Sequence, residues 1–367
     1  MRYRILGKTG LNVSELSFGT APILDGFKSY DEMMPKFYRL TLKESTDVLR
    51  KAYHEGINFY DTATVNEYGD AEYKLGYAFK SSSSRSEIII GSRARRYDYE
   101  GMKAAIECSL KTLNTEYIDI FYIHQVNPDV FQLALDEECG AIRAMREYQQ
   151  KGVITHLGIT SHYVSVFEKS LDFDDLVVHQ FPQNLMENGF YPRLRGRVEE
   201  NNIGTVPMKI YGAGPLLEVY EKPLLISYIL NNLNTHTALI GIGTMEQLIE
   251  NLSAYEQAIK NTEEYALEVD RVITDLISKK QCNRCQICEC PKDIRISHLL
   301  RYRAYYHYYN YQSFSVDRYN KLKTGADACD KCMCCEKSCP IGLPIVEYLE
   351  DAHRVLSRNN KEIIWKL

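Results

Sequence analysis

The 367-residue chain is 45% apolar and 25% charged, an ordinary mix for a soluble globular protein. Its net charge of −5 gives no whole-molecule attraction to nucleic acid or to an anionic membrane. No stretch approaches ~18 consecutive apolar residues and the opening MRYRILGKTG has no apolar leader region, so neither a membrane span nor a secretory signal is expected and a cytoplasmic address follows by default.

The segment YRILGKTGLNVSEL holds two short apolar runs split by Gly-Lys-Thr-Gly and predicts a β-hairpin. Strands are then expected at Leu16–Thr20, Asn58–Asp61, Ile88–Ser92, Ile118–His124, His156–Ser161, Leu176–Gln180, Thr205–Lys209 and Ala238–Gly241. They alternate with helix-patterned segments, which implies a parallel sheet. Eight such units favour closure into an α/β barrel of the (β/α)8 kind. Residues 21–40 are long for a strand-to-helix connection and read either as a lid or as a surface excursion. Thr41 with Glu44 forms a capping-box pattern, Leu42, Leu49, Ala52 and Tyr53 give the following helix an apolar face, and Gly56 suits its end. Ser81–Ser84 reads as a short polar loop. A helical pattern from Asn261 to Lys280 leaves the barrel, which divides the chain into a barrel of residues 1–275 and a mostly helical, ferredoxin-like part of residues 276–367.

Of the 11 cysteines, only Cys108 and Cys139 precede Cys282. A long chain without a secretory leader is a poor disulfide scaffold, so the clustered cysteines point to metal. Cys329, Cys332, Cys335 and Cys339 follow the C-x2-C-x2-C-x3-C spacing of bacterial ferredoxins, with Pro340 behind them. Cys282, Cys285, Cys288 and Cys290, followed by Pro291, form a second run one residue shorter. Two [4Fe–4S] clusters are expected, with the fourth cysteine of each run ligating the other cluster. One cluster then takes Cys282, Cys285, Cys288 and Cys339; the other takes Cys329, Cys332, Cys335 and Cys290. Cys334 is an extra thiol. A zinc site is the competing reading of paired C-x2-C units, but it leaves two groups of four, each ending in Cys-Pro, unexplained. The long spacer suits helices carrying Tyr302, Tyr305, Tyr306 and Tyr309 on apolar faces.

Several segments lie at predicted strand C-termini, where barrel active sites are built. They are GINFYDTA with Asp61, EYGDAE with Tyr68, IIIGSRAR with Arg93 and IDIFYIHQ with His124. Together with KGVITHLGITSH, VVHQFPQNLMEN and GIGTMEQLIENL they resemble the aldo-keto reductase family over nearly all of residues 1–260. With the cysteine tail, the chain is similar to the branch of that family bearing a C-terminal ferredoxin-type domain.

The resemblance implies NADP or NAD bound across the barrel mouth and hydride transfer to or from a small-molecule carbonyl or alcohol. Tyr68 is then the general acid, Arg93 its cationic neighbour, Asp61 the partner of that cation, and His124 the residue that orients the carbonyl oxygen. Arg93 stands where the family has a lysine. Asn66 stands at the usual spacing of the family tyrosine, so Tyr68 implies a two-residue insertion. Ser161, Gln180 and Lys209 match the nicotinamide end of the cofactor site; Gly241, Glu250 and Asn251 match the adenosine end. Thr244 replaces the family's basic residue for the 2′-phosphate. His162 and His179 are expected to be structural. Nicotinamide moves electron pairs and clusters move single electrons, so either a redox partner protein or a flavin mediates between them, or the substrate itself accepts single electrons, or the clusters have a structural or sensing role. The alternative is a non-catalytic or altered-chemistry barrel acting as an iron–sulfur electron-transfer or redox-sensing protein.

Overall fold

The computed structural model describes residues 1–23, 40–81, 85–233 and 235–357. The body of the expected lid and most of the Ser81–Ser84 loop lie outside the described residues. An antiparallel hairpin pairs β1 (Tyr3–Ile5) with β2 (Asn12–Ser14), as the two apolar runs predict. Eight parallel strands follow: β3 (Leu16–Gly19), β4 (Phe59–Asp61), β5 (Ile89–Ala94), β6 (Ile118–Val126), β7 (Ile154–Ser161), β8 (Leu176–Pro182), β9 (Gly204–Met208) and β10 (Ala238–Gly241). Their ladder order is β10-β3-β4-β5-β6-β7-β8-β9, and β10 lies against β9 to complete a near-closed ring. Helices between the strands cover the outside.

Successive strand residues point to opposite faces, so every second residue enters the ring. Phe59, Ile89, Ile120, Tyr122, Val178, Val206 and Leu239 form an inner apolar layer, closed below by Leu6 and Val13 of the hairpin region. Gly7 (φ 52) makes that closure: a Cβ there would collide with the backbone of residues 202–204. The helix Leu42–His54 starts with the expected capping box, Thr41 N–H donating to Glu44 Oε2 at 2.8 Å and Thr41 Oγ1 accepting the Glu44 amide at 3.3 Å.

The helix Thr262–Ser278 buries Tyr265, Val269 and Leu276, and packs on Lys222–Ser227 and the following turn. Beyond it come a helix at Ile296–Tyr308, one at Gln312–Asn320 and one at Ile345–Leu356. Tyr302, Tyr305 and Tyr309 are buried among these helices, and Tyr306 is half-buried. Tyr305 also donates to Gly212 O at 3.2 Å, in the loop after β9. The Cys282–Cys288 loop docks on the loops after β7 and β8. Gln286 donates to His162 O at 2.8 Å and accepts the Val164 amide at 3.1 Å; Arg193 donates to Cys285 O at 3.1 Å. The Gly189 amide donates to Asn283 O at 2.8 Å, and a Cβ on Gly189 would lie 2.6 Å from the Asn283 side chain. The C-terminal segment therefore covers the strand C-terminal side of the barrel, the face where its active site forms. Among the described residues no helix is long and apolar enough to cross a membrane.

Burial holds His124, His156, His162, His179, His236 and His298 below the ordinary imidazole value. For fully buried His179 the value falls to about 3. The folded chain leaves it neutral while the unfolded chain protonates it below pH ~6.5, so stability is lost as pH falls through that value. His179 alone accounts for about 2 kcal/mol lost at pH 5. Urea unfolding at pH 7 and pH 5 is expected to show at least that loss; an unchanged unfolding free energy contradicts it.

Candidate active site

The polar residues at the barrel mouth continue the inward-facing rows of the apolar layer. Asp61 follows Phe59 on β4, Arg93 follows Ile89 and Gly91 on β5, His124 follows Ile120 and Tyr122 on β6, and Gln180 follows Val178 on β8. Two-residue periodicity thus delivers four polar side chains from four strands to one level. Arg93 and Asp61 are almost fully buried, at 1% and 2% exposure, and form an ion pair. Arg93 also donates through Nε to Thr62 O at 2.9 Å and through Nη1 to Gln180 Oε1. Gln180 closes the ring by donating to Asp61 Oδ1 at 2.7 Å. The Gln180 amide is therefore turned toward the ion pair.

Tyr68 ends the short helix Val65–Tyr68 and is half-buried, with the Arg93 guanidinium 5.4 Å from its ring centre. Asn66 is exposed and lines an outer groove with Arg95, Arg96 and Cys108. The structure brings Tyr68, not Asn66, to the buried cation. His124 is buried, and its Nδ1 meets Thr160 Oγ1 at 2.9 Å. Thr160 Oγ1 also accepts the Gln125 amide at 2.8 Å; when its hydroxyl proton goes to Nδ1, the ring proton sits on Nε2. Burial first, then the charges of Arg93, Arg95 and Lys209, hold His124 well below the ordinary imidazole value. The ring is neutral at pH 7, with Nε2 3.9 Å from Glu67 Oε2. Thr160 gives no signal in the sequence beyond its place beside Ser161.

Ser161 is fully buried, donating to Val126 O at 2.6 Å and accepting the Tyr163 amide at 2.9 Å. Lys209, just beyond β9, is exposed at the mouth and donates to His162 Nε2 at 3.1 Å. Gly241 is exposed at the end of β10. On the helix Met245–Lys260, Glu250 is surface-exposed and paired with Lys222, while buried Asn251 accepts the Tyr211 hydroxyl at 2.8 Å. Thr244 caps that helix by accepting the Gln247 amide at 3.2 Å. The polar groups of Ser161, Gln180 and Asn251 are engaged with protein neighbours, Lys209 meets His162, and Gly241 packs beside Pro22.

In the C-terminal segment, Cys282, Cys285, Cys288 and Cys339 line one recess. Cys335 is buried, Cys290 and Cys329 are half-buried, and Cys332 and Cys334 are exposed; all are free thiols. The two cysteine loops share a backbone pattern. Arg284 (φ 59) and Gln286 (φ 58) lie two and four residues after Cys282; Lys331 (φ 59) and Met333 (φ 62) lie two and four after Cys329. Left-handed backbone at non-glycine residues is uncommon, and here it recurs in register. Among the described residues, no group of three or more His, Cys, Asp or Glu side chains is gathered closely enough to hold a single metal ion.

Sequence comparison matches residues 34–224, slightly more than half of the chain, to the group described as the Aldo/keto reductase family. The chain belongs to the aldo/keto reductase family. The expected enzyme class, an aldo-keto-reductase-type oxidoreductase, accords with that membership. L-galactose dehydrogenase of Arabidopsis thaliana is 29% identical over 176 residues, covering 46% of this chain and 51% of that protein. The chain thus aligns with about half the length of that relative. L-glyceraldehyde 3-phosphate reductase of Escherichia coli O157:H7 is 25% identical over 344 residues, covering 75% and 93%. An aldo-keto reductase of Bacillus halodurans in its holo form superposes with a TM-score of 0.62 at 21% identity, covering 74% of this chain and 96% of that one. That likeness carries the barrel fold.

Removing one partner of a buried ion pair strands the other charge, at a cost of about 3–5 kcal/mol. Asp61→Ala is therefore expected to lower the unfolding free energy by about that amount, measured by urea denaturation. A loss below about 1 kcal/mol would mean that Arg93 is not sequestered as described.

Proposed function

We propose that the protein moves hydride between NADP or NAD and the carbonyl carbon of a small-molecule carbonyl or alcohol substrate, and that its C-terminal segment holds two [4Fe–4S] clusters. The reading divides the chain into a barrel unit of residues 1–275 and a ferredoxin-like unit of residues 276–367. The observation that carries the catalytic half is the Arg93 guanidinium, held by Asp61, 5.4 Å from the Tyr68 ring. A tyrosine near pKa ~10 gives up its proton too reluctantly without a nearby cation. Arg93 supplies that cation, and Asp61 with Gln180 fixes its orientation.

The bound nicotinamide supplies or takes the hydride. The residues do the rest. His124 presents Nε2–H to the carbonyl oxygen, and Tyr68 delivers the proton that makes it a hydroxyl. Arg93 stabilises the phenolate left behind until water reprotonates it. In this reading Ser161, Gln180 and Lys209 take the nicotinamide end of the cofactor, and Gly241, Glu250 and Asn251 the adenosine end.

For the clusters, the support is the recess shared by Cys282, Cys285, Cys288 and Cys339, and the repeated left-handed pattern in both loops. Successive amides in such backbone form anion-binding concavities suited to Fe–S sites. Cys329, Cys332, Cys335 and Cys290 would hold the second cluster. The first loop leans on the mouth, so a cluster held there would sit beside the proposed hydride site. Exchange between the two runs through a flavin or a redox partner protein. Iron–sulfur chemistry of this kind suits a reducing, cytoplasmic setting.

Tyr68→Phe is expected to lower kcat for NAD(P)H-dependent reduction of an aldehyde panel by about 100-fold or more, with the fold intact by circular dichroism. Activity within twofold of the parent would remove Tyr68 from the mechanism. Anaerobically prepared protein is expected to carry about eight iron and eight sulfide. Cys339→Ser should lose about half of both. Folded, iron-free parent protein contradicts the cluster assignment.

A further inference from the structure

A second group of buried charges lies where the first cysteine loop meets the barrel mouth. Glu187, in the turn after β8, is 2% exposed. It accepts Arg284 Nη1 at 2.5 Å and Arg301 Nη1 at 3.3 Å. Lys209 brings a third cation. Loss of water around its ammonium first, then the charges of Arg301, Arg284 and Arg318, push it down to about 8 against the pull of Glu187, although part of the side chain keeps open surface at the mouth. Burial raises the Glu187 carboxyl, but Arg284, Arg301 and Lys209 more than offset this and hold it below the usual range. One carboxylate therefore faces three close cations.

Their hydrogen-bonding capacity is not used up. Arg284 is 2% exposed, and its Nε and Nη2 have no acceptor among the described residues; neither has Arg301 Nε. A buried donor left unmade costs about 1–3 kcal/mol, and more when charged. Arg284 Nη1 is turned to Glu187, on the barrel side of the cysteine loop, while its charge also reaches the Cys282 thiol. Lys209 joins this cluster to the reaction site, since its charge also acts on His124.

We infer that these cations receive a compact oxyanion, a carboxylate or phosphate borne by the substrate, so that the preferred substrate is an anionic aldehyde or ketone or the matching alcohol. The substrate assignment rests on the carbonyl chemistry proposed above; the anion site does not. The barrel supplies Lys209 and Glu187, and the C-terminal segment supplies Arg284 and Arg301. The barrel alone cannot build the site.

The test compares 4-carboxybenzaldehyde with its neutral methyl ester, using the full-length protein with its metal complement and NADPH. The parent protein is expected to favour the acid in kcat/KM by at least about tenfold, the size of a charge-assisted hydrogen bond. Lys209→Gln, at an exposed position, and Arg301→Gln should each bring that ratio toward one. A parent ratio near one, or a ratio kept in both variants, overturns the inference. If neither aldehyde is reduced, the carbonyl reading fails and the site is judged by calorimetric binding of terephthalate and of inorganic phosphate. Binding that weakens about tenfold or more in Lys209→Gln supports the site, and no binding overturns it. Anions that compete with NADPH but not with aldehyde would assign the cations to the cofactor's phosphates, which also overturns it.

Discussion

A guanidinium and a carboxylate enclosed within a ring of strands can remain charged only if each satisfies the other. Arg93 and Asp61 meet that condition, with Thr62 O and the Gln180 amide taking further contacts. The consequence is rigidity. A planar fork bonded to β4 and β8 while itself rooted in β5 ties three strands together at their C-terminal ends. The ring of Tyr68 then has a fixed cation beside it, and the neutral ring of His124 lies on the neighbouring strand. A lysine at position 93 would offer a mobile point charge; the arginine offers direction and more donors.

The second organising feature is the seam between barrel and tail. It is not an apolar contact alone. The first cysteine loop is hydrogen-bonded through Gln286 to the loop after β7, through Asn283 O and Cys285 O to the segment after β8, and through Arg284 to Glu187. Tyr305 reaches the loop after β9. Three successive barrel loops therefore meet one segment of the tail, which makes the mouth a joint product of both parts. A buried carboxylate surrounded by cations is a costly arrangement to keep, and such arrangements cluster at functional sites.

The strands were legible because each is a short run of β-branched and aromatic residues between helix-patterned segments. All eight expected positions overlap an observed strand, with ends differing by one or two residues, as at Ile154 and Pro182. The inward polar set was legible because period-two alternation and the family likeness coincide at Asp61, Arg93 and His124. The orientation of Gln180 was not, because it follows from the reach of an arginine in place of a lysine. Thr160 as the partner of His124 was hidden because hydroxyls at strand ends are common. Glu187 and Arg284 were invisible for another reason: 97 residues separate them, and no local pattern encodes a contact that long in sequence. A charged residue inside a cysteine loop was the one available hint.

Gly189 shows how closely the seam is drawn together. Its amide bonds to Asn283 O, and the space for a side chain is filled by the Asn283 amide group. A larger residue there would require the Asn283 side chain to swing aside. The Gly189 amide and the Asn283 carbonyl meet at 2.8 Å, so the two backbones touch here with no side chain between them. At this point the seam is a backbone-to-backbone joint, so its spacing is set by main-chain geometry and not by side-chain packing.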